Sequence, residues 1–290
     1  MSQQRVWLVT GANSGFGAEF VHQILARGDK VIATGRNPDK LAALSGSGAH
    51  VMKLDVTSSI DQLKEIAKQA EAVYGRIDVL INNAGYIEMG TIEETTPERT
   101  FQQFNTNVFG LLNVTRAFVP YMRERRSGAV VNLGSIGGWR GIGGAGLYCA
   151  TKAVVSTLSE ALQQELAPFG VEVHCVEPGY FATSLLSSGN LALNKNASIP
   201  DYADLNRQLE QNWTQASGNQ PGDPVKGVAR TIEAATHTGY AKDKEVPVRV
   251  VLGKDAFEHS GKIISRMEKE RQIWKDWTND SWKDDVDSNN

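Results

Sequence analysis

An apolar run, a glycine-rich turn and an amphipathic helix follow one another at the start of this chain. Val6-Trp7-Leu8-Val9 leads into Thr10-Gly11-Ala12-Asn13-Ser14-Gly15-Phe16-Gly17, and a helical pattern follows with Phe20, Val21, Ile24 and Leu25 on one side. A strand that passes into a helix through so tight a turn is the opening unit of a parallel α/β sheet. Gly11 permits the turn. Gly15 lets backbone N–H groups approach a pyrophosphate, and Gly17 lets the helix pack closely on the strand. The helix N-terminus places positive partial charge where phosphates would lie. The position at the first strand–helix junction favours a dinucleotide cradle over a plain glycine loop. Asn13, Ser14 and Phe16 belong to the same cradle.

The rest of the chain repeats the alternation. Strands are expected near 5–10, 30–34, 49–53, 78–82, 129–133, 171–177 and 247–252. Helices are expected near 16–27, 60–74, 97–124, 144–168 and 224–236. This is the pattern of a doubly wound, mostly parallel sheet flanked by helices. Thr96-Pro97 and Asp223-Pro224 read as N-caps followed by proline at the first helical position. A chain of 290 residues with 41% hydrophobic and 22% charged content can bury one large core. Residues 1–253 are read as a single domain. Within it, 184–223 is rich in Ser, Asn, Gln and Gly, carries no strand pattern, and is expected to form a substrate-binding excursion. Residues 254–290 read as a helical extension with a polar tail. Ile263, Met267, Trp274 and Trp277 there form an apolar stripe expected to pack on the domain.

Tyr148 and Lys152 stand four residues apart, on one face of the helix at 144–168. An ammonium beside a phenol favours the phenolate, so Lys152 is expected to lower the Tyr148 pKa toward a range useful for acid–base work. Ser135 ends the strand Val130-Val131-Asn132-Leu133-Gly134, thirteen residues before Tyr148. Its hydroxyl can hydrogen-bond an oxygen on which charge develops.

Taken in order, the turn at 10–17, Asn82-Asn83-Ala84-Gly85, Asn107, Ser135, Tyr148, Lys152 and Pro178-Gly179 give a chain that resembles the short-chain dehydrogenase/reductase superfamily, in its compact single-domain branch. The resemblance is dense over residues 5–183. It implies a Rossmann-type fold with seven strands in the order three-two-one-four-five-six-seven, and oxidoreductase activity on a small-molecule alcohol or carbonyl compound. It further implies that Asp55-Val56 contacts the adenine, and that Asn82, Ala84 and Gly85 close over the adenine ribose. Asn83 is read as structural. Pro178, Gly179, Phe181 and Thr183 would hold the nicotinamide end. Lys152 would also bond the nicotinamide ribose. Asn107 would kink its helix and complete a proton relay. The segment 184–223 would fold over the substrate.

Cofactor choice is read from the second strand, which ends Ile32-Ala33-Thr34-Gly35 and then Arg36. No carboxylate is placed to bond a ribose 2′-hydroxyl, whereas a guanidinium can bind a 2′-phosphate. NADP(H) is therefore expected, with NAD(H) possible. Ile136, Gly137, Trp139, Tyr180, Leu185 and Leu186, with Ser135 and Tyr148, are the candidate substrate contacts. Their apolar character points to a hydrophobic ketone, aldehyde or alcohol. Helices 97–124 and 144–168 resemble the surfaces through which the family forms homodimers and homotetramers. The competing reading is a regulator or scaffold that binds NAD(P) without turnover.

Other chemistries find no support in the sequence. His22, His50, His174, His237 and His259 lack metal-ligand spacing, so no metal is expected. No G-x-S-x-G elbow is present. Cys149 points about 100° around the helix from Tyr148 and is read as packing. Two cysteines suggest no disulfide framework and fit a reduced compartment. A net charge of −3 gives no case for nucleic acid or an anionic membrane. A strand beginning near Arg5 is expected to leave no room for a leader, so a cytoplasmic location is the default.

Overall fold

The computed structural model describes residues 4–183, 185, 191–193 and 199–282. The strands are β1 Val6–Val9, β2 Lys30–Gly35, β3 His50–Lys53, β4 Val79–Asn82, β5 Ile87–Met89, β6 Gly128–Leu133, β7 Val171–Pro178, β8 Leu191–Leu193 and β9 Arg249–Leu252. The α-helices are α1 Gly15–Ala26, α2 Ala42–Gly46, α3 Ile60–Tyr74, α4 Pro97–Phe104, α5 Leu111–Arg125, α6 Gly146–Leu166, α7 Ala203–Ala216, α8 Pro224–Thr236, α9 Lys254–Ile273 and α10 Lys275–Asn279. Seven strands form one parallel sheet in the order β3-β2-β1-β4-β6-β7-β9. The seven expected strands are these, and their order is the one implied by the family resemblance.

The central strands β1, β4 and β6 are buried on both faces, which is why they read as nearly unbroken apolar runs rather than alternating ones. Trp7 and Val9 face α1 and α8, meeting Phe20, Ile24, Val228 and Ile232. Val6 and Leu8 point the other way, into a layer of α3, α5 and α6 built on Leu63, Ala67, Phe118, Met122 and Leu166. Local chemistry sets the helix ends. Ser59 and Gln62 form a reciprocal capping box on α3, and Gly75 ends it at φ 78°. Thr96 caps α4 and Asp223 caps α8, each followed by proline as the sequence indicates.

Three expectations need correction. The helix read over 97–124 is two helices joined by a π-helical turn over Asn105–Gly110. At its end Gly110 lies against β3's exit loop, where an added Cβ would meet the Val56 backbone oxygen at 3.0 Å. The excursion is not free of strands: Leu191–Leu193 pairs in parallel with Ile87–Met89, and α7 follows. Strands of three residues are too short to show a period. The apolar stripe of the C-terminal extension packs only at its beginning. Ala256, Ser260 and Ile263 are buried, whereas Met267, Trp274 and Trp277 are 57%, 58% and 74% exposed. At 1.5 Å per residue α9 runs past the core it starts on, and the Trp274 and Trp277 rings pack edge-on against each other instead.

Candidate active site

In this strand order the chain reverses direction of winding between β1 and β4, which opens a crevice at the carboxyl ends of the strands. A cavity of about 850 Å³ occupies that crevice. It gathers Gly11, Asn13, Ser14, Gly15 and Phe16 from the first turn, Arg36 after β2, Asp55 and Val56 after β3, and Ala84 and Gly85 after β4. Ser135, Ile136 and Gly137 enter after β6, Tyr148 and Lys152 from α6, and Pro178, Gly179, Tyr180, Phe181, Thr183 and Leu185 after β7. Leu186 lies outside the described residues.

The first turn is held shut by its neighbour in the sheet. Thr10 Oγ1 accepts from the N–H groups of Asn83 at 3.0 Å and Ala84 at 3.1 Å, and donates to the Ile81 carbonyl at 3.2 Å. Asn83 Nδ2 donates to the carbonyls of Thr10 and Gly11 at 2.9 and 3.1 Å. Gly11 sits at φ +64°, where an added Cβ would also meet Ala84 Cα at 2.9 Å. Gly17 does not line the cavity. A Cβ there would stand 2.3 Å from the Gly11 carbonyl, so its work is close packing of α1. The first turn of α1 has no capping side chain and no acidic residue. Its unpaired N–H groups therefore remain available at the cavity. A cradle that a single methyl would fill and an uncapped helix start fit a dinucleotide diphosphate. After β3, Asp55 Oδ1 is held by Thr57 through N and Oγ1 at 2.9 and 2.8 Å. Arg36 is exposed at the rim, while Asn37 spends its carbonyl capping the turn at Asp39.

At the other end Tyr148 and Lys152 are buried, and Tyr148 and Ser135 line the same stretch of the cavity. Ser135 Oγ in turn accepts from Gly137 N at 3.0 Å. Lys152 Nζ donates to the Leu133 carbonyl at 2.6 Å and lies 5.7 Å from the centre of the Tyr148 ring. Burial pushes the Tyr148 phenol up to about 12, against the pull of the Ser135 hydroxyl. Burial also brings the Lys152 ammonium down to about 8. The expectation that Lys152 lowers the phenol pKa is thus corrected: with the protein's own groups, loss of hydration outweighs every attraction on both side chains.

Three further predicted residues do not line the cavity. Asn82 is buried within the sheet, donating to Thr115 Oγ1 at 3.0 Å and Asn132 Oδ1 at 2.9 Å, and Asn132 passes the ladder on to Ser159. Its neighbour Asn83 is the one that reaches the cavity, because successive side chains of a strand point to opposite faces. Trp139 turns away from the cavity to donate to Glu177 Oε2 at 2.8 Å, under the Arg249 guanidinium. Asn107 lies behind the cavity wall. Its amide accepts from Tyr86 N at 3.1 Å and donates to Tyr86 O at 3.0 Å, with a longer bond to Thr151 Oγ1. It thereby fixes the strand β5 beside Gly85.

The sequence did not point to several wall residues. Ile87, Ile142, Cys149 and Trp213 join the expected Leu185 in an apolar side next to Tyr148, and Glu88 and Arg99, joined as an ion pair, make a polar one. Trp213 comes from α7 and carries no local signal. Burial raises the Cys149 thiol pKa, in keeping with a packing role. Asp255 was also missed: from the first turn of α9 it accepts from Tyr180 N at 2.7 Å and abuts Gly179, so the C-terminal extension supports the segment after β7.

The model of the short chain dehydrogenase family matches residues 5–194. The 3-ketodihydrosphingosine reductase of Bacteroides thetaiotaomicron is 39% identical over 202 residues, covering 70% of this chain and 73% of that one. A short-chain dehydrogenase structure from Streptomyces avermitilis is 38% identical, with a TM-score of 0.86 over 97% of this chain and 100% of its own. A short chain dehydrogenase from Burkholderia cenocepacia in complex with NADP is 26% identical, with a TM-score of 0.69 over 93% and 97% of the two chains. The crevice, its glycine turn and these likenesses together place this chain in the short-chain dehydrogenase family of oxidoreductases, which use a nicotinamide dinucleotide.

Proposed function

We propose that the protein is an NADPH-dependent carbonyl reductase, running also as an alcohol dehydrogenase, with a mainly hydrophobic substrate. The observation that carries this reading is the Ser135–Tyr148 hydroxyl pair with Lys152 beneath it, in the same cavity as the glycine turn and Arg36. The first-turn N–H groups would hold the diphosphate, Arg36 the 2′-phosphate, Asp55 and Val56 the adenine, and Pro178, Gly179, Phe181 and Thr183 the nicotinamide. Bound there, the nicotinamide supplies or accepts the hydride.

The protein's own task is to place a carbonyl and deliver a proton. Ser135 and Tyr148 both offer O–H groups to one substrate oxygen. Ser135 stabilises charge growing on it. Tyr148 gives its proton to it, and takes one back in the reverse direction. A phenol near 12 stays protonated at neutral pH, which suits it to act as the acid of reduction. Lys152, near 8, is mostly cationic at pH 7 and stabilises the phenolate left after transfer. Asn107 positions this machinery through β5, and completes a relay that returns the proton.

The apolar wall of Ile87, Ile142, Leu185 and Trp213 supports an apolar substrate body. The relative that reduces 3-ketodihydrosphingosine is named for a ketone of that character. Exposed Phe101 and Phe109 on the α4–α5 face support assembly as a homodimer or homotetramer. No helix among the described residues is long and apolar enough to cross a membrane, and a cytoplasmic location is part of the proposal.

The test is NADPH oxidation at 340 nm over a panel of ketones and aldehydes, with NADH and the Tyr148→Phe variant in parallel. Turnover with NADPH that the variant loses is the expected result. Equal efficiency with NADH refutes the cofactor assignment. Full activity of Tyr148→Phe refutes the mechanism.

A further inference from the structure

We propose that Glu172, His174 and His237 form a binding site for one divalent transition-metal ion of the zinc class. The three residues are distant in sequence in part, and the fold brings them together. β7 places Glu172 and His174 two residues apart, on one face of the strand. His237 closes α8 in the left-handed conformation, φ 50° and ψ 44°, which is uncommon for a residue with a side chain. Glu172 Oε2 lies 3.3 Å from His174 Nε2 and 2.7 Å from His237 Nε2. One ligand atom from each of the three falls within 4.8 Å of the others.

The orientation of His174 suits a metal ligand. Its side chain is buried, and Nδ1 faces the Pro247 carbonyl at 3.4 Å. With Nδ1 turned to that carbonyl, Nε2 is the ring atom that faces the Glu172 carboxylate, at 3.3 Å. An ion between them satisfies both groups, and a backbone carbonyl on the far nitrogen is the usual outer support of a metal-bound imidazole. Two imidazoles and a carboxylate are a zinc ligand set, and metal–ligand bonds of about 2.0–2.2 Å in a tetrahedron put neighbouring ligand atoms about 3.3–3.5 Å apart. The Glu172–His174 pair already has that spacing. His237 is half-exposed at the rim, free to lengthen its contact as the ion enters. A surface cavity reaches both Glu172 and His237, leaving an entry path and room for water as a further ligand.

This site sits at the start of β7, whereas Pro178 at the strand's other end lines the active-site cavity. The ion would therefore clamp β7 to the end of α8 and take no part in hydride transfer. The experiment is isothermal titration of the EDTA-treated full chain with zinc chloride, alongside His237→Ala and Glu172→Gln, with thermal unfolding of each. Both substitutions fall on half-exposed side chains, and circular dichroism verifies that the variants fold. The expected result is about one zinc per chain, weakened at least about tenfold by either substitution. Zinc should raise the unfolding midpoint of the wild type far more than that of either variant. Absence of saturable binding at millimolar zinc overturns the proposal, as does binding that persists unchanged in both variants.

Discussion

Replacing Lys152 with methionine should remove activity without costing stability at neutral pH. Lys152 is 7% exposed, and burial brings its pKa from 10.5 down to about 8. A lysine whose folded pKa is depressed is disfavoured in the folded state while both states are charged. That penalty is full below the folded pKa and is relieved as pH rises from about 8 toward 10.5, because the unfolded chain then binds more protons. At about 1.4 kcal/mol per pKa unit the penalty is roughly 3 kcal/mol at pH 7 and about half of that at pH 9.5. Against it stands the 2.6 Å bond to the Leu133 carbonyl, worth about 1.5–3 kcal/mol as a charged hydrogen bond. Lys152→Met keeps the length of the side chain and loses both terms. The variant should be at least as stable as the wild type at pH 7, and lose about 2 kcal/mol relative to it by pH 9.5. Urea unfolding of both proteins at the two pH values measures this, and taking the difference cancels other titrating groups. A gap that does not change with pH would show that Lys152 is not depressed by burial, and the account of the site electrostatics would fail.

Gly11→Ala forces a left-handed residue and a contact with the Ala84 backbone, so stability should fall by at least about 1–2 kcal/mol, and NADPH affinity, followed by cofactor fluorescence, should drop with it. Thr10→Val strands the N–H groups of Asn83 and Ala84 beside the cradle and should cost about 1–3 kcal/mol in denaturant unfolding. Arg36→Ala should lower kcat/KM for NADPH at least about tenfold, the worth of one charged hydrogen bond to the 2′-phosphate, while leaving NADH nearly unchanged. Equal losses with both cofactors would sink that role. Trp139→Phe should leave the substrate KM within about twofold, since it makes no contact with the cavity, but lower the unfolding midpoint through loss of a hydrogen bond to buried Glu177.

Much of the fold was legible because its signals are local. The glycine turn, the apolar strand runs and the Thr-Pro and Asp-Pro helix starts each act within a few residues. The chemical core of the site was legible for a related reason. Gly11, Gly15, Ser135 and Tyr148 stand at or near junctions between elements, the sheet must bring those junctions to one edge, and Lys152 follows one helical turn after Tyr148. Asn82 and Asn83 were assigned to the wrong sides because the strand end had to be known to a single residue. Trp139 was misplaced because it lies in a one-turn helix whose direction the chain does not announce. The stripe of α9 was misread because spacing shows that a face is apolar and not what covers it.

The sequence by itself determined the seven strands of the main sheet and the glycine turn at its first strand–helix junction, since these follow from steric and hydrogen-bonding rules between near neighbours. Only the tertiary structure decided the apolar wall from α7, the support Asp255 gives the segment after β7, the meeting of Glu172, His174 and His237, and the balance of burial over attraction at Tyr148 and Lys152. Each of these depends on distances between parts of the chain far apart in sequence, and on how much water the packed whole excludes.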